Sequence, residues 1–140
     1  MSAEPSDVQS WLAKAHSDLL SAQILIANDP AILDTACFHC QQAAEKALKA
    51  FLVFKGVQFE KVHNTSYLLG MCLSLNPEFA AVQDQAELLN PFAVEIRYPG
   101  DAAMPSPEEA VEALAATKAI YSFVLALLPD NVIPPSLQPS

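Results

Sequence analysis

Residues 38–50 read Phe-His-Cys-Gln-Gln-Ala-Ala-Glu-Lys-Ala-Leu-Lys-Ala, an unbroken helical run. Ala, Leu, Gln, Glu and Lys lose little side-chain freedom in a helix, so this stretch commits the chain to α-structure. The remainder agrees: Ala and Leu supply 41 of the 140 residues and glycine only three. β-branched residues never alternate over the length of a strand. A chain of this size is one domain by default and can bury about 68% of its unfolded surface.

Helix boundaries follow from the punctuation. Val8, Trp11, Leu12, Ala15, Leu19, Ala22 and Ile26 recur at three and four, which predicts a first helix. Ser6 is expected to open it, with Gln9 as capping-box partner, and residues 28–30 to stop it. A second helix is predicted over 34–55, ended by Gly56. Residues 57–64 form a polar linker. Asn64 or Thr65 caps a short third helix ending at Leu75. Asn76 and Pro77 open a fourth over 78–96, kinked or broken near Asn90 because Pro91 removes a backbone hydrogen bond. Ser106, Pro107 and Glu109 supply an N-cap, a first-turn proline and a capping box for a fifth, which ends at Leu128.

These elements predict an all-α fold: an up-and-down antiparallel four-helix bundle with one extra short helix, over residues 6–128. Residues 129–140 are expected to form a Pro-rich flexible tail. Trp11, Phe51, Phe54, Phe92 and Tyr121 are expected in the core or at a dimer interface.

The net charge of −9, with seven Lys and Arg in all, disfavours a broad RNA-binding face, which needs basic residues to displace counterions. It suits a small nucleotide pocket or a basic protein partner. Three cysteines, Cys37, Cys40 and Cys72, without an apolar leader point to the cytoplasm. No apolar run approaches the roughly 20 residues of a membrane span. Cys37 and Cys40 have the spacing of a metal or redox pair, yet four zinc ligands are hard to assemble here, and buried apolar thiols are expected instead. No metal or cofactor is expected. With no Gly-x-Ser-x-Gly elbow and only isolated glycines, a serine hydrolase and a self-contained kinase or nucleotidyltransferase are excluded.

Four pieces in order carry a resemblance. They are Trp11, the Gln-Ala-Ala-Glu-Lys-Ala-Leu-Lys stretch at 42–49, His63 ahead of Tyr67-Leu68-Leu69, and Arg97-Tyr98-Pro99-Gly100. Together they resemble the HEPN family of small helical bundles. The resemblance implies a bundle that commonly forms a homodimer, a nucleotidyltransferase partner in two-gene toxin–antitoxin systems, nucleotide binding, and in many members metal-independent RNA cleavage. The RNA-cutting members carry an Arg followed four to six residues later by His. This chain has no His after Arg97, so that activity does not carry over to this position and no catalytic residue is assigned.

Six residues remain as ligand- or phosphate-binding candidates: Arg97, Lys46, His39, His63, Gln42 and Tyr98. Arg97 can complement the negative end of a helix or grip a phosphate through its planar fork. Tyr98 shapes the turn after it, and Asp101 is a candidate partner for Arg97. His39, Gln42 and Lys46 share one helix face, with Glu45 and Lys49 on the neighbouring one at ion-pair spacing. That surface is either a solvated helix face or a polar cleft in which His39, Lys46 and Arg97 converge on a phosphate. His63 is either a solvent-exposed loop residue or, with His39, a substitute base for the missing nuclease His. The expected function is an interaction and nucleotide-binding module. A ribonuclease with a rearranged site and a purely structural adaptor are the alternatives.

Overall fold

Three helices of more than twenty residues carry the structure. The computed structural model describes residues 4–94 and 104–138. Helix α1 spans Pro5–Ala27, α2 Leu33–Phe54, α3 Thr65–Leu75, α4 Gln83–Leu89 and α5 Pro107–Leu127. Among the described residues there is no strand, so the architecture is the all-α bundle that the helix-forming composition demands.

Helix α2 is the axis, packing against α1, α3, α4 and α5. Its Ala43, Ala44, Ala47 and Ala50 are fully buried, and these small side chains let neighbouring helices approach closely. Phe51 stacks edge-on against Phe79 at 4.7 Å, and Phe79 against Phe123 at 4.9 Å, which ties α2, the start of the fourth segment and α5 together. Each such aromatic pair is worth about 0.5–1.5 kcal/mol beyond its buried area. By length and composition α5 could cross a membrane, but here its Ala110, Ala113, Ile120 and Val124 lie in the core.

Gly56 ends α2 as expected, at φ 70°. Its N–H donates to the Val53 carbonyl and that of Val57 to the Leu52 carbonyl, the double closure of a Schellman turn, which favours glycine at this position. Residues 57–64 then run back along α2. Phe59 meets the Trp11 ring at 6.2 Å, and His63 reaches Gln41 and Glu45. Helix α3 therefore starts beside the first half of α2 and follows it in the same sense, with Cys72 Sγ 3.8 Å from the Leu48 carbonyl oxygen. Asn64 caps it by accepting from the Tyr67 N–H.

Three local expectations are corrected. Ser6 does not cap α1. Pro5 already occupies the first turn, Glu4 is the N-cap residue without a side-chain hydrogen bond, and the Gln9 amide donates to the Asn131 carbonyl instead. The fourth helix does break at Asn90, as Pro91 predicts, but it is not α-helical throughout. It is a 3₁₀ segment, Pro77–Val82, then α4, then a second 3₁₀ turn, Asn90–Ala93. The tighter turn stacks i and i+3 on one side, which buries Phe79 and Val82 together. Pro91 has no N–H to continue α4; beside the break, the Asn90 side chain accepts from the Thr65 N–H, and the Thr65 hydroxyl donates to the Ala86 carbonyl at 2.8 Å. Residues 95 and 96 of that predicted helix lie outside the described residues. The third correction is the segment after α5. It makes two 3₁₀ turns, Asp130–Val132 and Pro135–Leu137, because Val132 and Ile133 bury in the core and hold it down despite its prolines. Residues 139 and 140 lie outside the described set.

Burial raises the Cys40 and Cys72 thiols from 9.0 to about 12 and the Tyr121 hydroxyl from 10.0 to about 12. For Cys40, nearby Cys37 adds to the rise and Lys118 opposes it. These groups ionise in the unfolded chain before they do in the fold. Their contribution to stability is thus intact below pH 9 and is lost as the pH climbs from there through about 12. The melting temperature is expected to fall across that window, and less steeply in Cys72→Ala. A flat profile across it would contradict the burial of these groups.

Candidate functional site

The α2 face that carries the sequence candidates packs inward. Gln42 is 9% exposed, Glu45 2% and Lys49 6%, so the solvated-surface reading of these residues is overturned. A buried charge persists only when it is paired, and two carboxylates do the pairing.

The first is Asp18 of α1. It sits on the apolar stripe of that helix, between Ala15 and Ala22, and is itself buried. One oxygen lies 2.8 Å from His39 Nδ1 and the other accepts from Lys46 Nζ at 2.5 Å. His39 and Lys46 do converge, as their spacing suggests, but on a protein carboxylate rather than on an open phosphate position. The second is Glu45. One oxygen lies 2.9 Å from His63 Nδ1 and the other 3.4 Å from Lys49 Nζ. Lys49 also lies 5.5 Å from the centre of the Trp11 ring and 5.6 Å from that of Phe59, where the electron-rich faces add attraction.

Above Glu45 the amides take over. The Gln41 NH₂ donates to the His63 carbonyl at 3.2 Å. The Gln42 NH₂ donates to the Gln41 oxygen at 2.8 Å. Beside them opens a cleft of about 350 Å³ lined by Phe38, Gln42, His63 and Ala93. Two sequence candidates, Gln42 and His63, thus share one cleft, while His39 and Lys46 belong to the α1–α2 contact. Arg97, Tyr98 and Asp101 lie outside the described residues.

Asp18 and Gln41 escaped the sequence reading. A charge standing on an apolar stripe was the available signal for Asp18. For Gln41 only the density of buried neighbours marks the position, and that is visible in three dimensions alone. Among the described residues no group of three or more His, Cys, Asp or Glu is arranged to hold a metal. Buried Cys37 and Cys40 belong to the core.

Truncating Glu45 leaves Lys49 buried without its carboxylate, whereas His63 is 67% exposed in its side chain. Glu45→Ala is expected to cost about 3–5 kcal/mol in urea unfolding. His63→Ala is expected to cost no more than about 1 kcal/mol, as for an exposed ion pair. Equal small costs would mean that Glu45 is not the buried anchor described here.

Comparison with known proteins places this geometry in a family. The HEPN domain model matches residues 8–127. The crystal structure of TT1696 from Thermus thermophilus is 29% identical, with a TM-score of 0.71 over 86% of this chain and 98% of that one. The crystal structure of ST0689, an archaeal HEPN homologue, is 26% identical, with a TM-score of 0.69 over 86% of this chain and 96% of that one. A search of curated proteins gives no match. A bundle matched from α1 almost to the end of α5 by the domain model, and by solved structures over nearly their whole length, belongs to the HEPN family.

Proposed function

We propose that this HEPN bundle is an interaction and nucleotide-binding module that works as a homodimer beside a nucleotidyltransferase. The observation that carries the reading is the Phe38–Gln42–His63–Ala93 cleft, whose volume of about 350 Å³ falls within the size range of small-ligand sites. It combines an aromatic wall, an amide and an imidazole, the mix of apolar area and a few placed polar groups that such ligands need. In sequence, Arg97 follows Ala93 by four residues, and its guanidinium is the group proposed to meet the phosphate.

The charges favour a protein partner over RNA. Lys46 and His39 are committed to Asp18 and Lys49 to Glu45. Among the described residues, this leaves the α2 face without the free cations that a phosphate backbone requires. The net charge of −9 complements a basic partner surface. The nucleotidyltransferase partner and a toxin–antitoxin role rest on the family resemblance. A ribonuclease with a rearranged site is the second reading, and it draws on the Glu45–His63 pair. A carboxylate that orients an exposed imidazole is the arrangement of a general base, and His63 is more open than His39.

Calorimetric titration with AMP is expected to give saturable binding that Gln42→Ala weakens about two- to tenfold, the worth of one net hydrogen bond. The chain is also expected to co-purify with a nucleotidyltransferase encoded beside it and to leave RNA intact without added metal. A monomer without affinity for nucleotides or for such a partner would contradict the proposal. RNA cleavage that disappears in His63→Ala would favour the ribonuclease.

A further inference from the structure

The polar groups of the cleft are fixed in direction by partners that can act in only one way. The His63 carbonyl only accepts, so the Gln41 group 3.2 Å from it is the NH₂. The Gln41 oxygen must then face Gln42, and the Gln42 group 2.8 Å away must be its NH₂. Among the described residues, nothing else bonds the Gln42 amide, which keeps its carbonyl oxygen and one N–H for an occupant. Reversing the Gln42 amide would set its oxygen against that of Gln41, so the relay forbids the reversed orientation.

The imidazole obeys the same logic. A carboxylate accepts, so His63 Nδ1, 2.9 Å from Glu45, carries the proton. In the neutral ring, Nε2 is then an acceptor. Among the described residues, the polar side chains lining the cleft are Gln42 and His63, and each carries an acceptor, Oε1 and Nε2.

Resting on the nucleotide-binding reading above, we infer that this cleft reads the base and selects adenine, through an amide of Gln42 held in one orientation by Gln41. Any base can stack on an aromatic ring, so Phe38 supplies affinity without choice. The choice falls to Gln42. A glutamine pairs bidentately with adenine, its oxygen taking a proton of the N6 amino group and its NH₂ donating to N7. A 6-oxo purine sets an acceptor against the Gln42 oxygen, and the amide cannot turn to suit it. Gln41, fully buried, is a positioning residue that never meets the ligand.

The test compares AMP with IMP, which differ at the 6-position, by calorimetry on the full chain. AMP is expected to bind about tenfold or more tightly than IMP, the discrimination of a good bidentate pair. Gln41→Leu, checked for folding by circular dichroism, is expected to bring that ratio towards one. A purely structural role for Gln41 would change both affinities alike and leave the ratio standing. Equal binding of AMP and IMP by the unaltered protein, or a preference for IMP, would overturn the inference while leaving nucleotide binding in place. Binding of neither nucleotide would overturn both.

Discussion

One carboxylate at the centre of α2 organises this bundle. Glu45 is 2% exposed and has hydrogen-bonding or ionic partners on both oxygens. Through Lys49 it reaches Trp11 on α1 and Phe59 on the linker. Through His63 it anchors the end of residues 57–64, which sets where α3 begins. An isolated charge in such a place would be too costly to keep. Its retention fixes the return path of the linker and, with it, one wall of the cleft. Apolar packing supplies most of the driving force for folding, but it is non-directional, and a directed ion pair adds what that packing lacks.

The same economy of charge shapes the candidate site. Asp18 and Glu45 neutralise Lys46 and Lys49, and among the described residues amide, imidazole and ring face the cleft. Groups of that kind recognise the pattern of donors and acceptors on a ligand more than its charge. In the function proposed above, these groups of α2 and the linker are the ones offered to the base.

Much of the fold was legible in the residues because the signals were local. Gly56, Asn64 and the Ser106–Glu109 box act within a turn of themselves, and their effect can be read without knowing the neighbours. The failures were non-local. Gln9 had the spacing of a capping partner, but Asn131 outcompeted that role from the far end of the chain. The prolines after Leu128 argued for a loose tail, whereas Val132 and Ile133 found a place in the core. Within the site, helical spacing grouped His39 with Lys46 correctly. It was silent about Asp18, which approaches from another helix. His63 stood out from its position before α3, but its orientation depends on Glu45, eighteen residues away.

The tautomer of His63 is the most direct test of this account, since it reports whether Glu45 fixes the imidazole. A two-bond proton–nitrogen NMR correlation on uniformly ¹⁵N-labelled protein, at a pH where the ring is neutral, distinguishes the two nitrogens. The account predicts the proton on Nδ1 and a bare Nε2, with that preference lost in Glu45→Gln. A proton on Nε2 in the unaltered protein would contradict it, because Glu45 would then not be holding the ring through Nδ1.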